Sequence, residues 1–222
     1  MAEVKNIKNV ETVIKYLLSG KYNNTALHIG ILCVIAKESN FIPQEEKGYQ
    51  NTSNERILKI FGKRLPQIYH TDDDALTLLK KDKEKFFNLV YGGRGGNNKS
   101  GDGYKYRGRG LNQLTFINNY RKYSTDKYDL VKNPELVNNI DVAAQIVVKF
   151  FEDNLSINKD KLMERMQITD DLINIEKGIL LAANINAGVG NTLNNNVVIR
   201  AFEQASKYKE QMIEIYNNYE EK

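Results

Sequence analysis

Residues 26–39, ALHIGILCVIAKES, constrain this chain more than any other stretch. Wound as a helix, they carry apolar side chains on nearly every face. Such a helix has no solvent side, so it must be central and wrapped by others. Asn24 or Thr25 is placed to cap its start, and Lys37-Glu38-Ser39 marks where it leaves the core. The rest of the chain supplies wrapping helices. Residues 8–19 put Val10, Val13, Ile14, Leu17 and Leu18 on one face, with Gly20 as a stop. Helical patterns recur over 54–65, over 73–91 with a cap at one of Asp72 to Asp74, and over 111–124. A long buried helix is expected over 134–154 with Pro134 in its first turn, then one over 171–185 ended by NAGVGN, and a last one over 195–219. The strand signal is weak. The pattern predicts one compact, mainly α unit with at most a small β-hairpin near 94–107.

Composition narrows the class. Of 222 residues, 41% are apolar and 27% charged, as in soluble globular proteins. The net charge of +4 is compatible with an anionic polymer partner and equally with ordinary surface lysines. Cys33 is the only cysteine, which excludes an internal disulfide and a Cys-based metal cage; within IGILCVIA it reads as a small buried hydrophobe. His28 and His70 are too few for a His-rich metal site. No apolar run approaches the ~20 residues needed to span a bilayer. The first residues, MAEVKNIKNVETVIKYLL, are charged throughout and unlike a signal peptide, so synthesis and retention in the cytoplasm are expected until another agent lets the protein out.

Three segments offer chemistry. Glu38 ends an otherwise apolar helix; a carboxylate at the core boundary is partly desolvated, which favours the protonated form that a general acid needs. A solvated Glu at a helix end is the plain alternative. Glu45 and Glu46, in QEEKGY, follow Pro43 and so sit on a loop, a different element from Glu38. Two carboxylates on facing elements suit glycoside hydrolysis, where one protonates the leaving oxygen and the other activates water or attacks. An acidic surface turn explains the same residues. The third segment is glycine-rich: VYGGRGGNNKSGDG, then YKYRGRGLNQLTFINNY. It lacks the spacing and preceding strand of a dinucleotide site, a phosphate-loop lysine, and the sheet pattern of an RNA binder. It fits a groove wall, where glycines let a bulky ligand approach the backbone. Tyr104 and Tyr106 would stack on sugar rings, and Gln113, Thr115 and Asn119, at a helix start, would bind hydroxyls or a water.

These residues, taken together, resemble glycoside hydrolase family 19, the chitinases and their phage endolysin relatives. GDGYKYRGRGLNQLT…NY is similar to that family's GDGxxYRGRGxxQLTxxxNY; ESNF followed by EE, NPELV with AAQIVVKFF, and INAG at 185–188 resemble further family segments. The resemblance covers roughly residues 25–205. It implies a lysozyme-like α+β fold, a helical bundle around a substrate groove, and one catalytic domain over 1–222: an N-terminal helix in 1–20, the family-like core, and a C-terminal helix end in 206–222. By the resemblance Glu38 is the general acid and Thr115 the hydroxyl that helps hold the attacking water. Gln113, Asn119 and Asn186 match its substrate-contacting positions, and Tyr106, read as a sugar-stacking ring above, completes the expected substrate-binding set. Spacing from Phe41 picks Glu46 as the second carboxylate, whereas spacing to Tyr49 picks Glu45; Glu46 is adopted. Lys37 stands where a histidine is common, beside the acid.

The resemblance implies a glycosidase that needs no cofactor and no metal and that hydrolyses β-1,4 bonds with inversion. Size, the lack of disulfides and Lys/Asn richness look more like a phage or prophage endolysin than a secreted plant chitinase. The expected substrate is therefore peptidoglycan, with no nucleic-acid partner, no membrane span and a monomeric state. Release to the wall would depend on a holin, or the protein would travel in a virion. A chitinase with the same chemistry, or an inactive wall-binding relative, stands as the alternative.

Overall fold

The computed structural model describes residues 3–156, 163–164, 167–168, 174–190 and 193–221. Its helices, in chain order, are α1 (Ile7–Leu18), α2 (Thr25–Ser39), α3 (Asn54–Phe61), α4 (Ile68–Thr71), α5 (Asp73–Lys81), α6 (Lys83–Tyr91), α7 (Asp102–Lys105), α8 (Ile117–Tyr123), α9 (Ile140–Ser156), α10 (Ile175–Ala187), α11 (Asn196–Ala205) and α12 (Lys209–Glu220). The architecture is mainly α, as the pattern predicts. Contacts divide the chain into two compact units, Met1–Pro43 with Asn139–Lys222, and the inserted Gln44–Asn138. No helix among the described residues is long and apolar enough to cross a membrane.

The first unit is built on α2. Asn24 caps it by accepting from the Leu27 N–H at 2.8 Å, and every residue from Ala26 to Ala36 is buried. Helices α1, α10, α11 and α12 all pack on it. The closest approach is backbone to backbone: a Cβ at Gly30 would meet the Gly178 carbonyl carbon at 2.3 Å, and one at Gly178 would meet the Ala26 oxygen at 2.0 Å. Only glycine at both positions lets α2 and α10 come this near. His28 bridges the wrap, with Nε2 2.7 Å from the Tyr22 carbonyl oxygen and Nδ1 2.8 Å from the Tyr216 hydroxyl. A carbonyl only accepts, so Nε2 carries the proton and Nδ1 accepts from Tyr216. Cys33 is buried as expected, and burial pushes its thiol up to about 12.

The second unit has its own core of Ile57, Phe61, Leu76, Phe86, Phe87 and Val90, with Tyr49, Tyr91 and Tyr104 packed against it. Here local polar groups overrule the long helical patterns. The expected helix over 73–91 is two helices: Asp72 caps α5 through the Ala75 N–H (2.8 Å), and Asp82 caps α6 through the Lys85 N–H (3.0 Å). Asp82 is non-helical (φ −90°, ψ 88°), because its carboxylate competes for backbone donors. The helix expected over 111–124 shrinks to α8, since Gln113 and Phe116 are left-handed (φ 54° and 75°).

No hairpin forms over 94–107; the β structure among the described residues is two isolated bridges, Arg109 to Leu114 and Thr125 to Tyr128. The expected helix over 134–154 is a 3-10 turn, Pro134–Asn138, followed by α9. That over 195–219 is α11 and α12, parted by a 3-10 turn at Ser206–Tyr208. The helix expected from 171 is seen from Ile175; residues 171–173 lie outside the described residues.

Candidate active site

Each unit contributes its own set of candidate groups. In the first unit, burial along α2 stops at Ala36, and Glu38 is exposed rather than set back into the core boundary as expected. Asn40 and Phe41 follow with left-handed φ (50° and 56°), turning the chain sharply after the carboxylate. Glu38 Oε1 accepts from Lys37 Nζ at 2.5 Å and from Asn186 Nδ2 at 2.9 Å. The structure therefore joins two residues singled out far apart in sequence. Asn186 is delivered by the last turn of α10, which Gly188 ends in a left-handed conformation (φ 64°). Both residues line a cleft of about 500 Å³ whose other polar walls include Asn196, Arg200 and Gln204.

In the second unit, the adjacent acids are held differently. Glu45 is ion-paired to Arg107, which is buried, and to Lys83 at 3.0 Å. Burial pushes its carboxyl up, but the Lys83 hydrogen bond and the charges of Arg107, Lys83 and Arg109 outweigh that and hold it below the usual carboxylate range. Among the described residues, no cation pairs with Glu46. Tyr49 donates to Oε1 at 2.6 Å, Tyr91 lies 3.0 Å from both oxygens, and the Gly108 N–H reaches Oε2 at 3.4 Å. Burial first, then Glu46 through its hydrogen bond and its charge, pushes both phenols above their ordinary range, so they remain protonated donors. A backbone bond from Glu46 N–H to the Gly108 oxygen (2.7 Å) fastens the acidic loop to the glycine-rich one.

Gly108 is the pivot of this arrangement. A Cβ there would lie 2.7 Å from Gln113 Oε1 and 3.3 Å from Glu46 Oε2, so the missing side chain is what admits both groups. Gln113 donates to the Gln44 oxygen (3.0 Å), Thr115 donates to the Gln113 oxygen (2.8 Å), and Asn119 donates to the Thr115 oxygen (2.7 Å). The three polar residues form one chain of bonds, though Gln113 and Thr115 stand before α8 rather than on it. With its proton given to Gln113, the Thr115 hydroxyl keeps lone pairs free to accept.

No family model matches the chain. Over 83 residues it is 35% identical to a glycosyl hydrolase family 19 domain-containing protein of Haemophilus influenzae. That match takes in 36% of this chain and 42% of the relative, so the chain spans less than half of the protein it is similar to. The relative's name is that of the family that the motifs resemble.

One expected site residue is corrected. Tyr106 is 2% exposed, its ring packs on Tyr120 at 5.3 Å, and its hydroxyl donates to the Val131 oxygen at 3.1 Å. A buried face cannot stack on a sugar. Tyr104 is half-buried, its ring covered by Arg107 at 4.1 Å and near Phe87. The groups that sequence reasoning missed are Tyr49, Tyr91 and Gly108 around Glu46. The signal present was the Tyr three residues after Glu46, used there only as a spacing mark.

Proposed function

We propose that the protein is a peptidoglycan hydrolase that cleaves β-1,4 glycosidic bonds of the bacterial wall glycan by acid/base catalysis with inversion. The observation that carries this reading is the Glu46 carboxylate. Among the described residues it is paired to no cation; it is gripped by two phenols and a backbone N–H, and lies beside the Gln113–Thr115–Asn119 chain across Gly108. A carboxylate so held is a general base in a fixed orientation. Its neighbour Glu45 is structural, because its charge is matched by Arg107 and Lys83. The similarity to a protein named for a family 19 domain supports the glycosidase class, and the net charge of +4 is compatible with an anionic wall.

In this mechanism Glu38 gives its proton to the glycosidic oxygen as the bond to the anomeric carbon breaks. Water attacks that carbon from the opposite face and loses a proton to Glu46. Thr115 accepts a hydrogen bond from the water and fixes its position. Inversion requires the two carboxyl groups to be roughly 6.5–9.5 Å apart when substrate is bound, to leave room for the water. Asn186 orients Glu38, while Gln113 and Asn119 meet sugar hydroxyls and amides.

The test is digestion of purified sacculi in heavy-oxygen water, followed by mass spectrometry of the fragments. The expected result is new reducing ends, each with one heavy oxygen at the anomeric carbon. Proton NMR should show the α-anomer first. Cleavage of chitin oligomers without cleavage of sacculi would reassign the protein as a chitinase. Binding to sacculi with no cleavage of either polymer would overturn the hydrolase reading.

A further inference from the structure

Helix α11 puts a cation into the cleft of the first unit that the fold itself does not use. Arg200 lines that cleft together with Glu38 and is exposed. Among the described residues it makes no ion pair or hydrogen bond, not even with Glu203 one turn on. Lys37 does not compete for a ligand charge, since it is committed to Glu38 at 2.5 Å. Lys37 is held by its own neighbour, so among the described residues the Arg200 guanidinium is the cleft's cation without a partner. Asn186 gives its N–H to Glu38, which leaves Oδ1 free to accept. Asn196 and Gln204 add amide donors and acceptors, and Val197, 57% exposed, adds an apolar contact. The complementary ligand is a carboxylate with an amide N–H and a methyl group close by. A planar fork of N–H donors suits a carboxylate better than a hydroxyl.

We propose that Arg200 binds the carboxylate carried on the muramoyl side of the wall glycan and so selects peptidoglycan over uncharged N-acetylglucosamine polymers. The choice of sugar rests on the hydrolase reading above; the anion site itself does not. Two sources share this chemistry, the lactyl ether carboxylate and the carboxylates of the stem peptide.

The experiment has a binding arm and a turnover arm, both on the full chain. In the first, N-acetylmuramic acid, a muramoyl peptide whose lactyl carboxylate is already an amide, and N-acetylglucosamine are titrated and followed by NMR. One of the two acids should bind about 10-fold more tightly than N-acetylglucosamine, with the gain lost in Arg200→Gln and partly kept in Arg200→Lys. Preference for N-acetylmuramic acid assigns the lactyl group; preference for the muramoyl peptide assigns the stem. Equal binding of all three would overturn the proposal.

In the second arm, glycan strands with free or amidated carboxylates are digested. Arg200→Gln should raise KM on the charged strands by about 10-fold with kcat little changed, and amidation should erase the difference between variant and parent. Equal losses on both strands would mean that Arg200 acts on the fold or on Glu38, against the proposal. Selective binding without any hydrolysis would keep the anion site and discard the hydrolase reading. Hydrolysis without selectivity would do the reverse.

Discussion

The two candidate carboxylates are held in opposite ways, one in each unit. Glu38 ends a rigid buried helix yet is itself exposed, steadied by a lysine and an amide. Glu46 sits on a loop with no helix under it, yet is half-buried and fixed by one phenol from its own loop and one from α6. Placement in the first case comes from the element, and in the second from hydrogen bonds that reach across the unit. A group that must release a proton and recover it tolerates open surroundings. A group that must aim one lone pair at a water needs a cage.

The largest effects should come from removing either charge. Glu38→Gln and Glu46→Gln should each lower the rate of sacculus digestion at least ~10²-fold, with folding intact by circular dichroism. Glu45→Gln should cost little activity. If Glu45→Gln is instead the inactive variant, the contrast between caged and ion-paired neighbours assigns the base wrongly. Thr115→Ala comes next, with a loss of ~10–10³-fold mainly in kcat, while Thr115→Ser keeps most of the activity. Equal losses in both variants would mean that the methyl group matters and that the hydroxyl holds no water.

Loosening the cage should cost less. Tyr91→Phe removes one donor to Glu46 and leaves the ring stacked on Phe87 at 5.8 Å. A fall of about 10-fold in kcat with KM unchanged is expected for a misaimed base, and the Tyr49,Tyr91 double phenylalanine variant should fall further. A change in KM alone would make the tyrosines substrate contacts.

The smallest effect is on stability and belongs to Glu45. Its folded carboxyl lies below its unfolded value, so its contribution is fully present above about pH 4.5 and is lost as pH falls through the lower folded value. The melting-temperature gap between the parent and Glu45→Gln should therefore be widest near neutrality and close below pH 4.5. A gap that stays constant with pH would mean that the Arg107 pairing contributes nothing.

The sequence carried the frame of the fold because α2 needs no context: eleven consecutive buried residues are legible as a central helix, and so is the Asn24 cap. It did not carry the breaks. Asp82 looks like one more charged residue on a helix face until its carboxylate is seen to cap α6. Phe116 is left-handed where a distant glycine packs against it: a Cβ at Gly95 would lie 2.5 Å from its side chain, a closeness that no local pattern reveals. In the candidate site, residue type singled out Glu38 and the Gln113–Thr115–Asn119 run, the family resemblance added Asn186, and spacing alone left Glu45 and Glu46 undecided. Alternating tyrosine and arginine read the same whether a ring faces a groove or the interior, which is why Tyr106 was misplaced.

The pairing of α2 with α10 also has a consequence in time. The ribosome finishes the apolar helix at Ser39 and must complete all of Gln44–Asn138 before Gly178 exists to receive Gly30. The inserted unit can close on contacts of its own, whereas the helix that precedes it waits for a partner made more than a hundred residues later. Loop closure over such a span is slow, and an unpaired apolar helix is prone to stick to others of its kind. Every newly made copy thus passes through a stage in which its most protected segment is its most exposed. Yield from fast expression or concentrated refolding should be limited by that interval, and lower temperature or a holding chaperone should recover it.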